Sequence, residues 1–196
     1  MRTRPLARRR AGSRRAVFLD RDGVLNRTEV RGGKPFAPRR LADFRLMPGA
    51  ADSVRRLQDL GFLVAVVTNQ PDLGNGLVAA GEVEAMHDRL RAVTGVDDIR
   101  VCPHRQDAGC RCRKPKPGML RAVARDRRID LGCSYMVGDR RSDIVAGQAA
   151  GCYTILVDRG YDERCEVVVA PDARVRSLRE AVTWIVRREA HVEEWR

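Results

Sequence analysis

The apolar run Ala16-Val17-Phe18-Leu19 ends in two carboxylates, Asp20 and Asp22, with Gly23 directly behind them. An unbroken apolar run of this length predicts a strand buried on both faces, as inside a parallel sheet. Side chains at i and i+2 of a strand share a face, so the two acids can meet one ligand if extended geometry persists. Two carboxylates so placed repel each other unless something positive sits between them, and a divalent cation is the usual answer. The competing reading is a strand followed by an ordinary Asp-Gly turn. Those four residues alone do not separate the two.

Beyond this strand, apolar runs and helical periods alternate. Residues 48–60 read as a helix with Ala51, Val54 and Leu57 on one face and Gly61 as its stop. Residues 62–67 form a fully apolar strand, and 81–93 repeat the helical period through Val83, Met86, Leu90 and Val93. A short strand at 99–102 enters a Cys-rich loop, and Pro117 opens a helix with Met119, Leu120 and Val123 inward. Then come a strand at 135–137, a helix capped by Ser142 and running to Gly151, and a strand at 153–157. An edge strand at 167–170 and a closing amphipathic helix at 175–188, carrying Trp184, complete the pattern. Residues 26–44 are polar and rich in Gly, Pro and Arg, and read as one long loop; such loops between core elements are usually functional. The alternation predicts a parallel α/β sheet with right-handed crossovers and ligands at the carboxyl ends of its strands. There is no repeat. The expected organisation is a basic, disordered tail over 1–15, a single domain over 16–190 and a short tail over 191–196.

Seven of the formal +12 charges are arginines ahead of the first strand, which leaves only about +5 for the rest. A basic tail can bind nucleic acid through its phosphates, but a disordered extension explains it equally well. Aromatic residues make up only 5% of the chain, so stacking platforms for bases are lacking and a nucleic-acid partner is not expected. Ser13-Arg14-Arg15 resembles a twin-arginine export signal, yet Asp20-Arg21-Asp22 follows before any apolar signal core can form. No apolar run approaches the roughly 18 residues of a membrane span. A cytoplasmic monomer is the expectation.

Six cysteines are present, at 102, 110, 112, 133, 152 and 165. Cys102-Pro-His104 and Cys110-Arg-Cys112, five residues apart, offer three thiolates and one imidazole, which suits a closed tetrahedral zinc site. Without an export signal, disulfides are not the expected use of these thiols. Cys133, Cys152 and Cys165 read as small buried hydrophobes, and His87 and His191 as surface or core residues of helices. Four protein ligands leave no open position, so the zinc would be structural. It would also fix the direction of Arg113 and Lys114, which follow at once.

Four segments together carry a resemblance. Phe18-Leu19-Asp20-Arg21-Asp22-Gly23-Val24-Leu25-Asn26, Val66-Val67-Thr68-Asn69-Gln70, Arg113-Lys114-Pro115 and Val137-Gly138-Asp139-Arg140-Arg141-Ser142-Asp143 occur in the order found in the haloacid dehalogenase (HAD) phosphotransferases. The chain is identified as a member of that superfamily over roughly residues 16–160. The resemblance implies a three-layer Rossmann-like fold without a large cap, since 26–44 and 71–80 are too short for one. It implies Asp20 as the nucleophile that forms an aspartyl phosphate, and Asp22 as general acid and base. Magnesium would be held by Asp20, the backbone of Asp22 and Asp139, with Asp143 one helical turn on to orient a metal-bound water or Lys114. Thr68 and Asn69 would bind the transferring phosphoryl group and Lys114 would neutralise it, with Lys116 as the rival cation. Asn26, Arg27, Gln70, Arg113 and Arg140 would reach the substrate.

Residues 112–120 read Cys-Arg-Lys-Pro-Lys-Pro-Gly-Met-Leu. That segment after a zinc loop resembles the phosphatases of D-glycero-D-manno-heptose 1,7-bisphosphate, a branch that histidinol-phosphate phosphatases share. A small phosphorylated sugar, losing its 7-phosphate in nucleotide-heptose biosynthesis, is the implied substrate. Heptose phosphatases usually follow Thr-Asn-Gln with Ser-Gly-Ile-Ala-Arg-Gly, where this chain has Pro71-Asp72-Leu73-Gly74-Asn75-Gly76. The change removes a hydroxyl and a cation near the substrate, so it bears on substrate identity and leaves the catalytic set intact. Histidinol-phosphate phosphatase, polynucleotide 3′-phosphatase and a non-catalytic, zinc-stabilised nucleic-acid-binding module are the competing readings. Retention of Asp20, Asp22, Lys114 and Asp139 together argues against the last.

Overall fold

A computed structural model of the chain describes residues 12–161 and 170–193. Residues 1–11, Cys165 and residues 167–169 of the edge strand expected at 167–170 lie outside the described residues. Six parallel strands form the central sheet: β1 (Arg15–Leu19), β4 (Phe62–Asn69), β5 (Asp98–Cys102), β6 (Tyr135–Gly138), β7 (Tyr153–Val157) and β8 (Ala173–Val175). Their order is β5-β4-β1-β6-β7-β8, so the chain moves outward from β1 first to one side and then to the other. That reversal places the topological switch point at the carboxyl end of β1, where open α/β sheets bind ligands.

The alternation along the strands builds a core on each face. Val17 and Leu19 of β1, with Val64 and Val66 of β4, pack beneath α1 (Ala50–Asp59), α3 (Ala80–Thr94) and α6 (Leu178–Glu193). Ala16, Phe18, Leu63, Ala65 and Val67 face α4 (Gly118–Arg127) and α5 (Arg141–Ala150) on the other side. The result is three layers, as the resemblance implied. Helices end where the sequence allows: Gly95 turns left-handed after α3 and returns its N–H to the Arg91 carbonyl. No helix among the described residues is long and apolar enough to cross a membrane.

Several expectations are corrected. Residues 26–44 are not simply a loop but hold an antiparallel hairpin, β2 (Glu29–Arg31) and β3 (Lys34–Phe36), followed by a 3₁₀ turn at Leu41–Asp43. A four-residue helix, α2 (Pro71–Gly74), follows β4. Helix α5 is capped by Asp143 rather than Ser142: the Asp143 carboxylate, in the first turn, accepts the Arg140 backbone N–H at 3.0 Å. The carboxylate reaches back to the orphan donor from the third helical position, which a side chain inside the turn at 142 cannot do. A strand not expected from the sequence lies at Ala173–Val175, and the closing helix starts at Leu178, three residues later than expected, and runs to Glu193.

Candidate active site

Strands β4, β1 and β6 are neighbours, and their carboxyl ends carry Thr68 and Asn69, Asp20, and Asp139 respectively. Asp20 leaves β1 with its N–H still paired to the Val137 carbonyl at 2.9 Å, so the sheet fixes its backbone. Oxygens of Asp20, Asp139 and Asp143 all lie within 4.8 Å of one another, and all three residues are buried. Gly23 makes this close approach possible. It holds φ +86°, and a Cβ there would fall 1.8 Å from Asp139 Oδ2.

One cation sits among these acids. Lys114 Nζ is 2.7 Å from Asp20 Oδ1, 2.6 Å from Asp143 Oδ1 and 2.7 Å from the Val67 carbonyl. The rival, Lys116, points the other way and donates to the Gly109 and Cys110 carbonyls at 2.7 and 2.8 Å. Burial opposes the Lys114 charge, but Asp143 and Asp20 more than offset it and hold the ammonium protonated. Burial pushes Asp20 up to about 6, despite the counteracting Lys114. Asp139 rises well above its ordinary value, through burial first and then the charges of Asp20 and Asp143. No hydrogen bond of good geometry reaches either Asp139 oxygen, and only the Tyr161 hydroxyl, among the described residues, interacts with that carboxylate as a donor. Three buried carboxylates against one ammonium leave negative charge uncompensated. That donor set, all oxygen, fits a hard divalent cation such as magnesium.

The imbalance has a measurable consequence. In magnesium-free buffer, Asp139→Asn is expected to raise Tm by on the order of 5 °C near neutral pH, from about 2 kcal/mol of relieved repulsion. Asp139 has a folded-state pKa above its ordinary 3.8, so the folded chain binds the extra proton between those values and loses stability as pH rises. The advantage of the Asn variant should therefore vanish toward pH 3.8 and grow above it. Thermal melts of both proteins across that range check this, and a gain independent of pH would contradict it.

Asp22 turns away from the carboxylate cluster. Both its oxygens lie 3.1–3.2 Å from Nε and Nη2 of Arg21. Asn26 Nδ2 donates to one oxygen at 2.9 Å and Gln70 Nε2 to the other at 2.7 Å. Burial would raise its pKa, but the Arg21 charge and these hydrogen bonds together bring it below the ordinary carboxylate range. Gln70 also donates to the Thr68 hydroxyl at 2.8 Å. Asn69 makes a two-way clip to the Lys114 backbone, donating to its carbonyl at 3.0 Å and accepting its N–H at 3.1 Å. Asn26, Asn69 and Gln70 thus hold catalytic candidates rather than facing open space.

The remaining candidates lie at the rim. Arg27 lines a cleft of about 390 Å³ with Thr28, Phe36 and Arg39, beside the carboxylates and not including them. Arg140 donates to the Pro35 carbonyl at 2.8 Å and so ties the hairpin to the end of β6. Arg113 is half-buried with its Nη1 unpartnered. Sequence reasoning missed Arg21, His87 and Tyr161. The Tyr161 hydroxyl lies 3.0 Å from that of Thr28, at the base of the hairpin.

The cysteine cluster closes as its spacing implied. Cys102 Sγ and Cys112 Sγ lie 3.6 and 3.5 Å from Cys110 Sγ, and 3.6 and 3.2 Å from His104 Nδ1. A zinc–sulfur bond of about 2.3 Å gives a tetrahedral edge of roughly 3.7 Å, so these four atoms could hold one such ion. The loop is packed tightly onto the start of α4, where a Cβ at Gly118 would come 2.1 Å from the Arg111 carbonyl oxygen. The Cys102 carbonyl also accepts the Gln70 N–H at 2.8 Å. The loop therefore touches two segments that carry site residues.

This fold with an acid pair at β1, a buried lysine and an acidic β6 end defines a hydrolase class, and the chain belongs to the HAD-like phosphatase family. Residues 111–181 match the HAD-hydrolase-like family model. The chain is 41% identical over 153 residues to the D-glycero-beta-D-manno-heptose-1,7-bisphosphate 7-phosphatase of Pseudomonas putida, covering 76% of this chain and 85% of that one. It is 35% identical over 183 residues to the corresponding alpha-anomer phosphatase of Burkholderia mallei, covering 87% and 93%. The crystal structure of the D,D-heptose 1,7-bisphosphate phosphatase of B. bronchiseptica, complexed with magnesium and phosphate, superimposes with a TM-score of 0.76 at 32% identity. That match covers 89% of this chain and 99% of that one. The chain is a phosphatase of this family.

Proposed function

We propose that this phosphatase removes the 7-phosphate of a heptose 1,7-bisphosphate through an aspartyl phosphate on Asp20, with magnesium. The observation that carries the reading is Lys114 Nζ bridging Asp20 and Asp143 at 2.7 and 2.6 Å beside the buried carboxylate of Asp139. Asp20, Asp139 and the backbone of Asp22 would hold the metal. When bound, it offsets repulsion between the anionic nucleophile and the anionic phosphate.

The chain's own residues supply the rest. An Asp20 oxygen attacks phosphorus, the bond to the sugar oxygen breaks, and Asp22 gives that oxygen its proton. In the second half Asp22 takes a proton from water, the water oxygen attacks phosphorus, and the bond to Asp20 breaks. Asp22 as held here is the carboxylate, the form the second half uses; a phosphoryl dianion arriving beside it favours the protonated form needed for the first. Lys114 balances charge on the phosphoryl oxygens. The Thr68 hydroxyl accepts from Gln70 and keeps its own hydrogen to donate to one of those oxygens. Asn69 fixes the Lys114 backbone. Arg27, on the cleft, and the half-buried Arg113, with its Nη1 unpartnered, would meet the second phosphate.

Relatives are named for both anomers, so identity alone does not choose between them. Phosphate release should be measured with magnesium on both heptose 1,7-bisphosphate anomers, histidinol phosphate and a 3′-phosphorylated oligonucleotide. A preference of at least tenfold in kcat/KM for one heptose bisphosphate is expected. Preference for histidinol phosphate or the oligonucleotide would keep the chemistry and overturn the substrate.

A further inference from the structure

Arg21 is the largest side chain buried without exposure in the described residues, and neither the nucleophile nor the phosphate-binding set accounts for it. Isolated in an apolar environment, a guanidinium is costly, and a buried ion pair seldom stabilises a fold better than apolar residues of the same size. Its surroundings are specific. Nε and Nη2 meet both Asp22 oxygens, Nη1 lies 3.0 Å from His87 Nε2, and the Phe44 ring lies below at 5.8 Å. The Arg21 carbonyl accepts the N–H groups of Leu25 and Asn26 at 2.9 and 3.1 Å, so the backbone is held too.

His87 comes from α3, 66 residues away, and is only 5% exposed. Burial, then the charges of Arg21 and Arg91, push it down to about 4, so it is neutral at ordinary pH. Facing a guanidinium N–H, its Nε2 is the acceptor and its proton sits on Nδ1. Arg21, Asn26 and Gln70 donate to both oxygens of Asp22 and so fix its orientation; one of these donors must yield when an oxygen takes a proton.

We propose that Arg21, seated on His87, is the positioning residue of the catalytic acid and base, setting the direction from which Asp22 meets the leaving oxygen. The inference rests on the acid role assigned to Asp22 above. The Asn26 and Gln70 amides each fix one oxygen, while the guanidinium alone spans both and so sets the plane of the carboxylate. His87 sets the plane of the guanidinium in turn. A helix on one face of the sheet thereby reaches the proton-transfer group at the end of β1.

The test compares two esters in the full-length protein with magnesium. A sugar phosphate expels an alkoxide that must be protonated; 4-nitrophenyl phosphate expels a stable phenolate that needs no acid. His87→Leu removes the acceptor, His87→Gln keeps one at similar reach, and Arg21→Met removes the fork. Phosphoryl transfer is read as single-turnover loss of the sugar phosphate and as the burst of nitrophenolate. The Leu and Met variants should slow transfer from the sugar phosphate about 10²-fold with KM little changed, and leave the burst within about threefold. The Gln variant should recover most of the loss. Equal loss on both esters, or no loss on the sugar phosphate, overturns the positioning role. Asp22→Asn separates the two levels. If it too fails to discriminate between esters, the acid role itself falls; if it discriminates and the other variants do not, only the inference falls.

Discussion

Asp20→Asn should lower kcat by on the order of 10⁴-fold or more, equivalent to about 5.5 kcal/mol of lost transition-state stabilisation, while leaving the fold intact. An amide oxygen is too weak a nucleophile to form the acyl phosphate, and the neighbouring carboxylates are otherwise committed, Asp139 to the metal on the proposed reading. Asp143 is engaged by Lys114 and the α5 N-terminus, and Asp22 is turned toward Arg21. The fold should survive because Asp20 belongs to a cluster with surplus negative charge, its own pKa already raised to about 6 by burial. Lys114 keeps Asp143 and the Val67 carbonyl when Asp20 is lost. Acid-quenched phosphoprotein trapping and a thermal melt check both halves. Appreciable turnover, or trapped phosphate on the Asn protein, would rule out Asp20 as the nucleophile.

We propose that Cys102, His104, Cys110 and Cys112 hold a structural zinc ion, and its loss should be the largest effect on stability. Cys110→Ser, or prolonged treatment with a strong chelator, is expected to abolish zinc binding and lower Tm by roughly 10–15 °C, from about 3–5 kcal/mol. Metal binding to a peptide finger contributes more than this, but here most of the core residues lie outside the loop. Activity should fall with it, by about 10²-fold. Cys112 stands two residues before Lys114, Lys116 holds the Gly109 and Cys110 carbonyls, and the Cys102 carbonyl holds Gln70. Without the ion these attachments have nothing rigid behind them, and the ammonium loses its fixed place between Asp20 and Asp143. Elemental analysis, calorimetry and turnover on the same sample test this. A zinc-free protein that melts and works like the parent would refute it.

The sheet was readable because its strands are apolar on both faces: β1 and β4 carry uninterrupted runs that neither loop nor amphipathic helix explains. The hairpin was not readable on those terms. Every residue of β2 is exposed, β3 contains Pro35, and no apolar alternation exists to be seen. The local signal was Gly32-Gly33, both at positive φ, between the paired Arg31 and Lys34, as a two-residue hairpin turn requires. Strand β8, three residues of Ala-Arg-Val, is too short to have a pattern. At the candidate site, the choice of Lys114 over Lys116 followed from its adjacency to the cysteines. The directions of Asn69 and Arg21 did not follow from anything local. Each depends on a partner brought by the fold: Lys114 across 45 residues for Asn69, and His87 across 66 for Arg21.

The hairpin meets the sheet through few points, among them Arg140 on the Pro35 carbonyl and Thr28 against Tyr161. The charged groups proposed to transfer phosphate stand on strand ends, in the turn before α4 and on α5, none of them in the hairpin. On the proposed reading, the phosphate chemistry and the cleft lined by Arg27 and the hairpin are thus written in separate stretches of chain. A lineage can rewrite residues 28–43 to suit a new sugar while inheriting its reaction unchanged.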